Sequence, residues 1–457
     1  MKNTMSTSVE QVVEPAVEQA TALLERIFPQ PRDFSIRLWD QTELPAQAKP
    51  IFTLILTHPG ALRRMFTPPL ELSFGEAYIY GDIDVEGDIF AMFDLAMMLG
   101  NRHFSATEVA NLLREIQRLP NTGPRRTITR RPIELHGEVH SRQRDQAAVR
   151  FHYDVGNEFY SLWLDHNMQY SCAYFPEGTE SLDVAQEKKM RHIYRKLRLK
   201  PGECLLDIGC GWGGLAINAA QQYGVEVLGV TLSEKQANYA QAWIKKLGLE
   251  DRVHVEMRDY RDLENASFDK VVSVGMFEHV GRTHLPEYFT QVSRLLKPGG
   301  LFLNHGIARS GQPDDLGLLK GLGGHPSALA AGQDYFERKV LGSGSFSQHY
   351  IFPDGELEPV SEVNLIAEAA GFEVRDVENL REHYALTLHQ WVRRLDEHHA
   401  EAAKLVDETV YRTWRLYMSF SARQFETVQI CINQSLLAKP RTGGKVDLPM
   451  SRADLYQ

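Results

Sequence analysis

The chain has 457 residues, with 60 acidic against 50 basic side chains and 43% hydrophobic residues. At about 150 residues per domain this is two to three domains with ample apolar material for a large core, which excludes a disordered or collagen-like chain. A net charge of −10 argues against a protein that coats nucleic acid. The four scattered cysteines, Cys172, Cys204, Cys210 and Cys431, make no disulfide framework, so a reducing compartment is expected.

The amino terminus, MKNTMSTSVEQVVEPAVEQA, lacks the apolar run of a signal peptide, and no stretch approaches the ~20 residues that span a bilayer. The expectation is a cytoplasmic protein that meets lipid only at a membrane surface. Residues 1–120 read as a smaller mixed α+β domain. FSIRLWD and PIFTLIL carry strand patterns, YGDIDVEGD is turn-rich, and Ile89–Leu99 and Ala106–Leu119 have helical spacing. Ile89, Phe90, Met92, Phe93, Met97, Met98 and Leu99 suit either a soft lipid-docking face or the core of this domain. Residues 121–150 hold Arg125, Arg126, Arg130, Arg131, Arg142, Arg144 and Arg150 against Glu134, Glu138 and Asp145, a local excess of +4. This predicts a basic linker, either solvated or meeting lipid phosphates.

Residues 151–457 alternate between β-branched runs and helical segments, the pattern of a parallel sheet covered by helices. The expected strands are Cys204–Ile208, Glu226–Val230, Val253–Met257, Lys270–Val274 and Leu301–Asn304. The expected helices include Gly214–Tyr223, Ser233–Leu247 and Leu285–Leu296, and Tyr384–Leu437 reads as helical throughout.

The first chemical signal is LLDIGCGWGGLA, a buried strand running into Gly209, Gly211, Gly213 and Gly214 where a helix begins. Glycines let the backbone approach a ligand closely, and the helix start offers free N–H groups. Gly209, Gly211 and Gly214 also satisfy the GxGxxG of a dinucleotide site, but such a site places an acid at the end of the second strand, where this chain has Thr231 and Leu232 with Gln236 a turn later. Asp207 completes DxGxGxG, which resembles the first motif of S-adenosylmethionine-dependent methyltransferases, and RDYRDL supplies Asp259 and Tyr260 after the third strand.

Beyond that loop, HYDVGNEFYSLWLDHNMQYSCAYF, LDIGCGWGG, GVTLSEKQ, RDYRDL, VSVGMFEHVG and HYIFPDGEL closely resemble cyclopropane fatty acid synthases over most of Phe151–Leu388. The resemblance implies an α/β fold, a Rossmann-like class I methyltransferase sheet with helices on both faces. It also implies transfer of a methyl carbon from S-adenosylmethionine to the cis double bond of an acyl chain in a phospholipid bilayer, with a bound bicarbonate ion taking the proton. The ligands it implies for that ion are Cys172, Glu278, His305, the backbone of Ile307, and Tyr384. Glu278 either accepts the proton of the ion, the preferred reading, or orients His305. A thiolate beside a sulfonium would be methylated, so Cys172 is expected as a neutral thiol.

The cofactor contacts it implies are Tyr170 and Ser171 at the methionine end with Asp207, Gly209, Gly211, Gly213 and Gly214, then Thr231, Leu232 and Gln236 at the ribose, and Asp259 and Tyr260 at adenine. Tyr170, Phe277 and Trp391 are candidate faces for a developing cation. No HExxH or paired His/Cys spacing occurs, so no metal is expected. The amino-terminal domain resembles the accessory domain of the phospholipid-acting members, which implies attachment to the inner face of the membrane; dimerisation is a further implication, and no nucleic acid is expected. One departure is a long insertion at 308–348, rich in Gly and Leu, which suits a lid or a membrane contact. Two other outcomes stay open: the same carbocation resolved to a methylene- or methyl-branched chain, and a small-molecule methyltransferase that needs only the cofactor half.

Overall fold

The computed structural model describes residues 6–95, 106–129, 132–133, 135–153, 155–264, 266–311 and 344–456, with side chains from 16 onward except at 106 and 109. The chain divides into two compact units.

The first unit comprises the described parts of Met1–Pro132, Leu322–Tyr350 and Val406–Arg423. Its sheet holds β1 (Ser35–Arg37), β2 (Glu43–Leu44), β3 (Phe52–Leu56) and β4 (Ile83–Gly87) in the order β2-β1-β3-β4, with only β1 and β3 parallel. Helix Ser6–Ile27 turns Ala16, Ala20, Leu23, Leu24 and Ile27 inward at helical spacing, and Phe34 stacks on Phe52 at 5.1 Å. YGDIDVEGD, expected as turn, contains β4: only Ile83 and Val85 alternate inward there, a signal too short to stand out among acids and glycines. In that apolar run Ile89 and Met92 are buried in the core while Phe90 and Phe93 are half-buried; Met97, Met98 and Leu99 lie outside the described residues.

The basic segment is less of a free linker than its composition suggests. Arg126 clasps Glu76 at 2.9 Å and the buried Asp82 at 2.6 Å within the first unit. In the second unit Arg142–Tyr153 is a helix, whose Arg142 pairs with Asp262 and whose Arg144 pairs with Asp354. Arg130 and Arg131 lie outside the described residues.

The second unit comprises the described parts of Ile133–Gly321, Ile351–Leu405 and Gln424–Gln457. Its strands are β5 (Cys204–Ile208), β6 (Glu226–Thr231), β7 (Val253–Met257), β8 (Phe268–Val274), β9 (Leu296–Arg309), β10 (Glu373–Asn379) and β11 (Ile430–Ala438). They form one sheet in the order β10-β11-β9-β8-β5-β6-β7, in which only β11 runs antiparallel to its neighbours. Successive residues serve opposite faces. Leu205, Val227, Val272 and Leu303 pack under helices Leu182–Leu197, Gly214–Tyr223 and Glu234–Leu247. Leu206, Val230, Val271 and Phe302 pack under Leu285–Leu295 and Val360–Ala369.

The expected all-helical chain end is corrected at Ile430–Ala438. This strand is buried on both sides, so its ICINQSLLA shows no two-residue alternation. Residues 312–343, the bulk of the 308–348 insertion, lie outside the described residues; β9 continues to Arg309 and a helix starts at Ser345. No helix among the described residues is long and apolar enough to cross a membrane.

Candidate active site

The sheet order reverses beside β5, and the carboxyl ends of β5, β6 and β8 border a cleft. After Ile208 the backbone turns through Gly209 at φ +80°, and the N–H groups of Gly209 and Cys210 both donate to Val230 O, tying the loop to β6 at 2.9 and 3.1 Å. A Cβ on Gly214 would lie 2.0 Å from Asn167 O, and one on Gly213 would lie 2.9 Å from the Ala240 Cβ.

Of the residues implied for the cofactor, Tyr170, Ser171, Asp207, Gly209, Gly211, Thr231, Leu232, Gln236, Asp259 and Tyr260 line this cleft. Gly213 and Gly214 do not; they let the helix approach its neighbours. Thr231 Oγ1 donates to Gln236 Oε1 at 2.8 Å, which sets both side chains on one wall. Asp259 is engaged by the Arg261 guanidinium at 2.7 Å, and Arg261 also reaches Asp145 at 3.1 Å. Tyr260 packs perpendicular to Tyr288 at 5.5 Å, and the Arg261 guanidinium lies over its ring at 5.8 Å.

Sequence reasoning missed several groups here. Tyr153, Gln169, Asp145, Arg261 and His279 all line the cleft, and His279 is held neutral because burial pushes it down to about 4. The fully buried Lys189 sits behind the same wall. In the sequence it is one cation of the charged run EKKMRHIYRK and reads as a solvated helix face.

The five residues implied for the anion do not line the cleft but converge beside it. Leu380 links them. Its carbonyl accepts from the Cys172 thiol at 3.8 Å and from the Tyr384 N–H at 3.1 Å, and its own N–H donates to Ile432 O at 2.8 Å. Ile432 is the register partner of Ile307 on β9, and His305 lies two residues earlier on the same face of that strand. Ile307 N–H donates to Glu278 Oε1 at 2.8 Å. That single N–H is thereby engaged, so in this arrangement the amide holds Glu278 and has no second proton for an anion.

Burial sets the protonation of the group. Cys172 is fully buried, which pushes its thiol well up and keeps it protonated. Burial pushes His305 well down, so the ring is neutral; its Nδ1 faces the Gln434 amide nitrogen at 3.1 Å, which leaves the proton on Nε2 without a partner. Burial raises Glu278 to about 7 against the Ile307 N–H, and Asp207 to about 7 against the charge of Lys189. Tyr170 and Trp391 meet at 5.2 Å, and Trp391 stands edge-on to Tyr384 at 5.9 Å, so two of the three candidate cation faces share an aromatic wall; Phe277 packs instead against Gly306.

Four carboxylates among the described residues bury an oxygen that makes no hydrogen bond: Asp207, Glu278, Glu358 and Asp376. Glu358 has Arg309 at 3.9 Å and Asp376 has Arg452 at 3.0 Å. Asp207 and Glu278 have no ion-pair partner among the described residues, and both belong to this site. An unpaired buried carboxyl is costly, so it marks a place arranged for something other than stability. The grouping of Asp165, His166 and Asp183 resembles a metal site, but Asp165 accepts the N–H groups of Asn167 and Gln169 and Asp183 is engaged by His166 and Arg394.

Sheet order, glycine loop and cleft together define an S-adenosylmethionine-dependent class I methyltransferase. A family model described as mycolic acid cyclopropane synthetase matches residues 140–435, and the chain belongs to that family. A second model, described as a domain of unknown function, matches residues 8–107. A probable fatty acid methyltransferase of Pseudomonas putida is 38% identical over 92% of this chain and 96% of its own. The cyclopropane-fatty-acyl-phospholipid synthase of Escherichia coli K12 is 36% identical over 66% of this chain and 70% of its own. Among solved structures, a cyclopropane synthase of Mycobacterium tuberculosis superposes with a TM-score of 0.56 at 32% identity, covering 64% of this chain and 98% of that one. A mycolic acid cyclopropane synthase complexed with S-adenosylhomocysteine gives the same TM-score at 33% identity, over 64% of this chain and 97% of that one. The enzyme is thus an S-adenosylmethionine-dependent methyltransferase of the cyclopropane synthase type.

Proposed function

We propose that the enzyme converts the cis double bond of unsaturated acyl chains in membrane phospholipids into a cyclopropane ring, working from the cytoplasmic surface of the bilayer. The observation that carries this reading is the buried polar group beside the cofactor cleft: Glu278 Oε2 and His305 Nε2 are buried without partners among the described residues, next to a neutral Cys172. A small-molecule methyltransferase has no use for such a group.

Tyr170, Ser171, Asp207, Gly209 and Gly211 hold the methionine end of S-adenosylmethionine in this proposal, Thr231, Leu232 and Gln236 the ribose, and Asp259 and Tyr260 the adenine. Bound there, the co-substrate supplies an electrophilic methyl carbon. The chain's own task is to hold an alkene, a weak nucleophile, in line with that carbon, where orientation contributes about 7–11 kcal/mol. It must also present no nucleophile to the cation that forms on the acyl chain. The protonated Cys172 meets that demand, as does His305, whose one ring lone pair on Nδ1 is taken by the Gln434 amide, and the faces of Tyr170 and Trp391 suit a developing positive charge.

A bicarbonate ion would supply the base. His305 Nε2 and the Tyr384 hydroxyl are the donors proposed for it, joined by the Cys172 thiol once that turns from the backbone carbonyls of Ala173 and Leu380; Glu278 Oε2 is the acceptor for its proton, and the Ile307 N–H fixes Glu278 in place.

A second reading has its own support, because the relative that spans nearly the whole chain is named a probable fatty acid methyltransferase. The same cation, resolved by a hydride shift that moves the charge to the methyl-bearing carbon before the methyl group loses its proton, leaves a methylene-branched chain, which becomes methyl-branched only after a separate reduction. The test incubates the enzyme with methyl-labelled S-adenosylmethionine and cis-unsaturated phospholipid vesicles and analyses the released fatty esters. A ring supports the first reading and an exocyclic methylene the second; absence of label from lipid refutes both. Stripping bicarbonate from the buffer is expected to lower turnover and its return to restore it, and an unchanged rate refutes the bicarbonate assignment.

A further inference from the structure

We propose that Lys189 is a positioning residue for this enzyme, a buried ammonium that grips the cleft wall from behind and supplies the counter-charge for Asp207. On helix Leu182–Leu197, Gln186 and Lys189 stand one turn apart and are both fully buried. Together they clamp one short stretch of the cleft wall. Gln186 Nε2 donates to the backbone carbonyls of Ser171 at 2.9 Å and Gln169 at 3.4 Å. Lys189 Nζ donates to the side chains of the same two residues, Gln169 Oε1 at 2.6 Å and Ser171 Oγ at 2.9 Å. Gln169 and Ser171 line the cleft, and Cys172 follows at once.

A helix that needed only to pack would place a Leu at this position. Taking an ammonium out of water costs several kcal/mol even after relaxation, by order of magnitude, and no carboxylate lies within ion-pair distance of Lys189 among the described residues. Asp207 is the matching orphan: a buried carboxyl with an unpartnered oxygen that lines the same cleft as Gln169 and Ser171. The charged and titratable groups that feel this pair are Asp165 and Cys172 from the preceding loop, Asp207 and Cys210 from the end of β5, Tyr194 from the same helix and His305 from β9. Burial lowers Lys189 to about 8 and raises Asp207 to about 7, and each opposes the shift of the other. With Lys189 charged, Asp207 titrates at about 7, so above that pH it is ionised and can receive a cationic amino group in the cleft.

The inference rests on the cleft's taking S-adenosylmethionine and is independent of the lipid product. Its test measures S-adenosylhomocysteine binding by calorimetry across pH for wild type, Lys189→Met, Ser171→Ala and the double variant. Lys189→Met is expected to bind about tenfold more weakly, the loss of a charge-assisted hydrogen bond. Its pH midpoint for binding is expected to move upward, because Asp207 loses the cation that opposes its burial. The effects of Lys189→Met and Ser171→Ala are expected to fall short of additive in the double variant. Lys189→Gln keeps hydrogen-bond donors without the charge, so it should shift the midpoint in the same direction while retaining more affinity; it carries the test if Lys189→Met does not fold. A folded neutral variant with unchanged affinity and an unchanged pH midpoint overturns the proposal. Wild-type enzyme that does not bind S-adenosylhomocysteine would instead sink the cofactor assignment.

Discussion

Replacing Glu278 by Gln changes almost no volume and removes one titrating proton. The Glu278 carboxyl is raised by burial from 4.5 to about 7, with the Ile307 N–H pulling the other way. Because the folded value lies above the unfolded one, the stability tied to this group is whole below about pH 4.5 and is lost as the pH rises through about 7. At about 1.4 kcal/mol per pH unit, the loss amounts to roughly 3 kcal/mol. Gln never ionises, so its amide oxygen can keep the Ile307 hydrogen bond at every pH. Glu278→Gln is therefore expected to exceed wild-type stability by about 1 kcal/mol near pH 5.5 and by about 3 kcal/mol near pH 8.5. Turnover is expected to fall by at least about 100-fold, the usual contribution of a placed acid or base, with S-adenosylhomocysteine affinity retained. Denaturant unfolding at the two pH values, together with label transfer to vesicles, measures both halves. A stability difference that does not grow with pH refutes the buried carboxyl, and wild-type turnover refutes its part in the chemistry.

Gly214→Ala places a Cβ 2.0 Å from a backbone oxygen of the Asn167 loop; it is expected to cost about 1–3 kcal/mol of stability and to weaken S-adenosylhomocysteine binding, and an unaltered Tm would contradict the close helix–loop approach. Cys172, fully buried with its thiol pushed well up, is expected to resist iodoacetamide in native enzyme at mildly alkaline pH and to react only after denaturation, while the half-buried Cys204 reacts first. Mass spectrometry of the labelled peptides decides this, and rapid native labelling of Cys172 would mean that a thiolate sits at the site.

The second unit was legible where burial on both faces leaves a β-branched run that ends in glycine or at a helix cap. LLDIG and VLGVT announce β5 and β6 in that way, and the structure extends the expected Leu301–Asn304 to a strand of 14 residues. Legibility fails where a strand's neighbours, rather than its own pattern, decide its conformation. EVRDVEN has four charged residues, yet it forms β10 because β11 offers an antiparallel ladder, interrupted by a register shift between Val374 and Asp376. The candidate site shows the same division. The glycine loop and the motif residues stand out by spacing, whereas the pairing of Ile307 with Glu278 depends on where β9 lies beside the turn after β8. Lys189 becomes visible only when its helix register is known, since one Lys in a charged run and one in a core are the same letter.

Comparing the two buried ionic clusters shows why the orphan carboxyls point to chemistry. In the first unit Asp82 is 1% exposed and its oxygens are engaged by His58, Arg64 and Arg126 at 2.6–2.9 Å. That carboxylate is held below its ordinary value, and it titrates far from neutrality. Such a group has every lone pair committed and nothing left to offer a ligand. Asp207 and Glu278 each bury one oxygen without a partner, and with no cation at ion-pair distance among the described residues their carboxyls rise to about 7. Selection for stability alone would give them partners or replace them with apolar residues. Both instead keep an open oxygen and a proton that moves near neutral pH, one on the cofactor wall and one beside the Cys172 and His305 pair. Buried groups that keep a proton mobile near neutral pH are what acid–base chemistry requires, and ion-paired groups such as Asp82 cannot supply it.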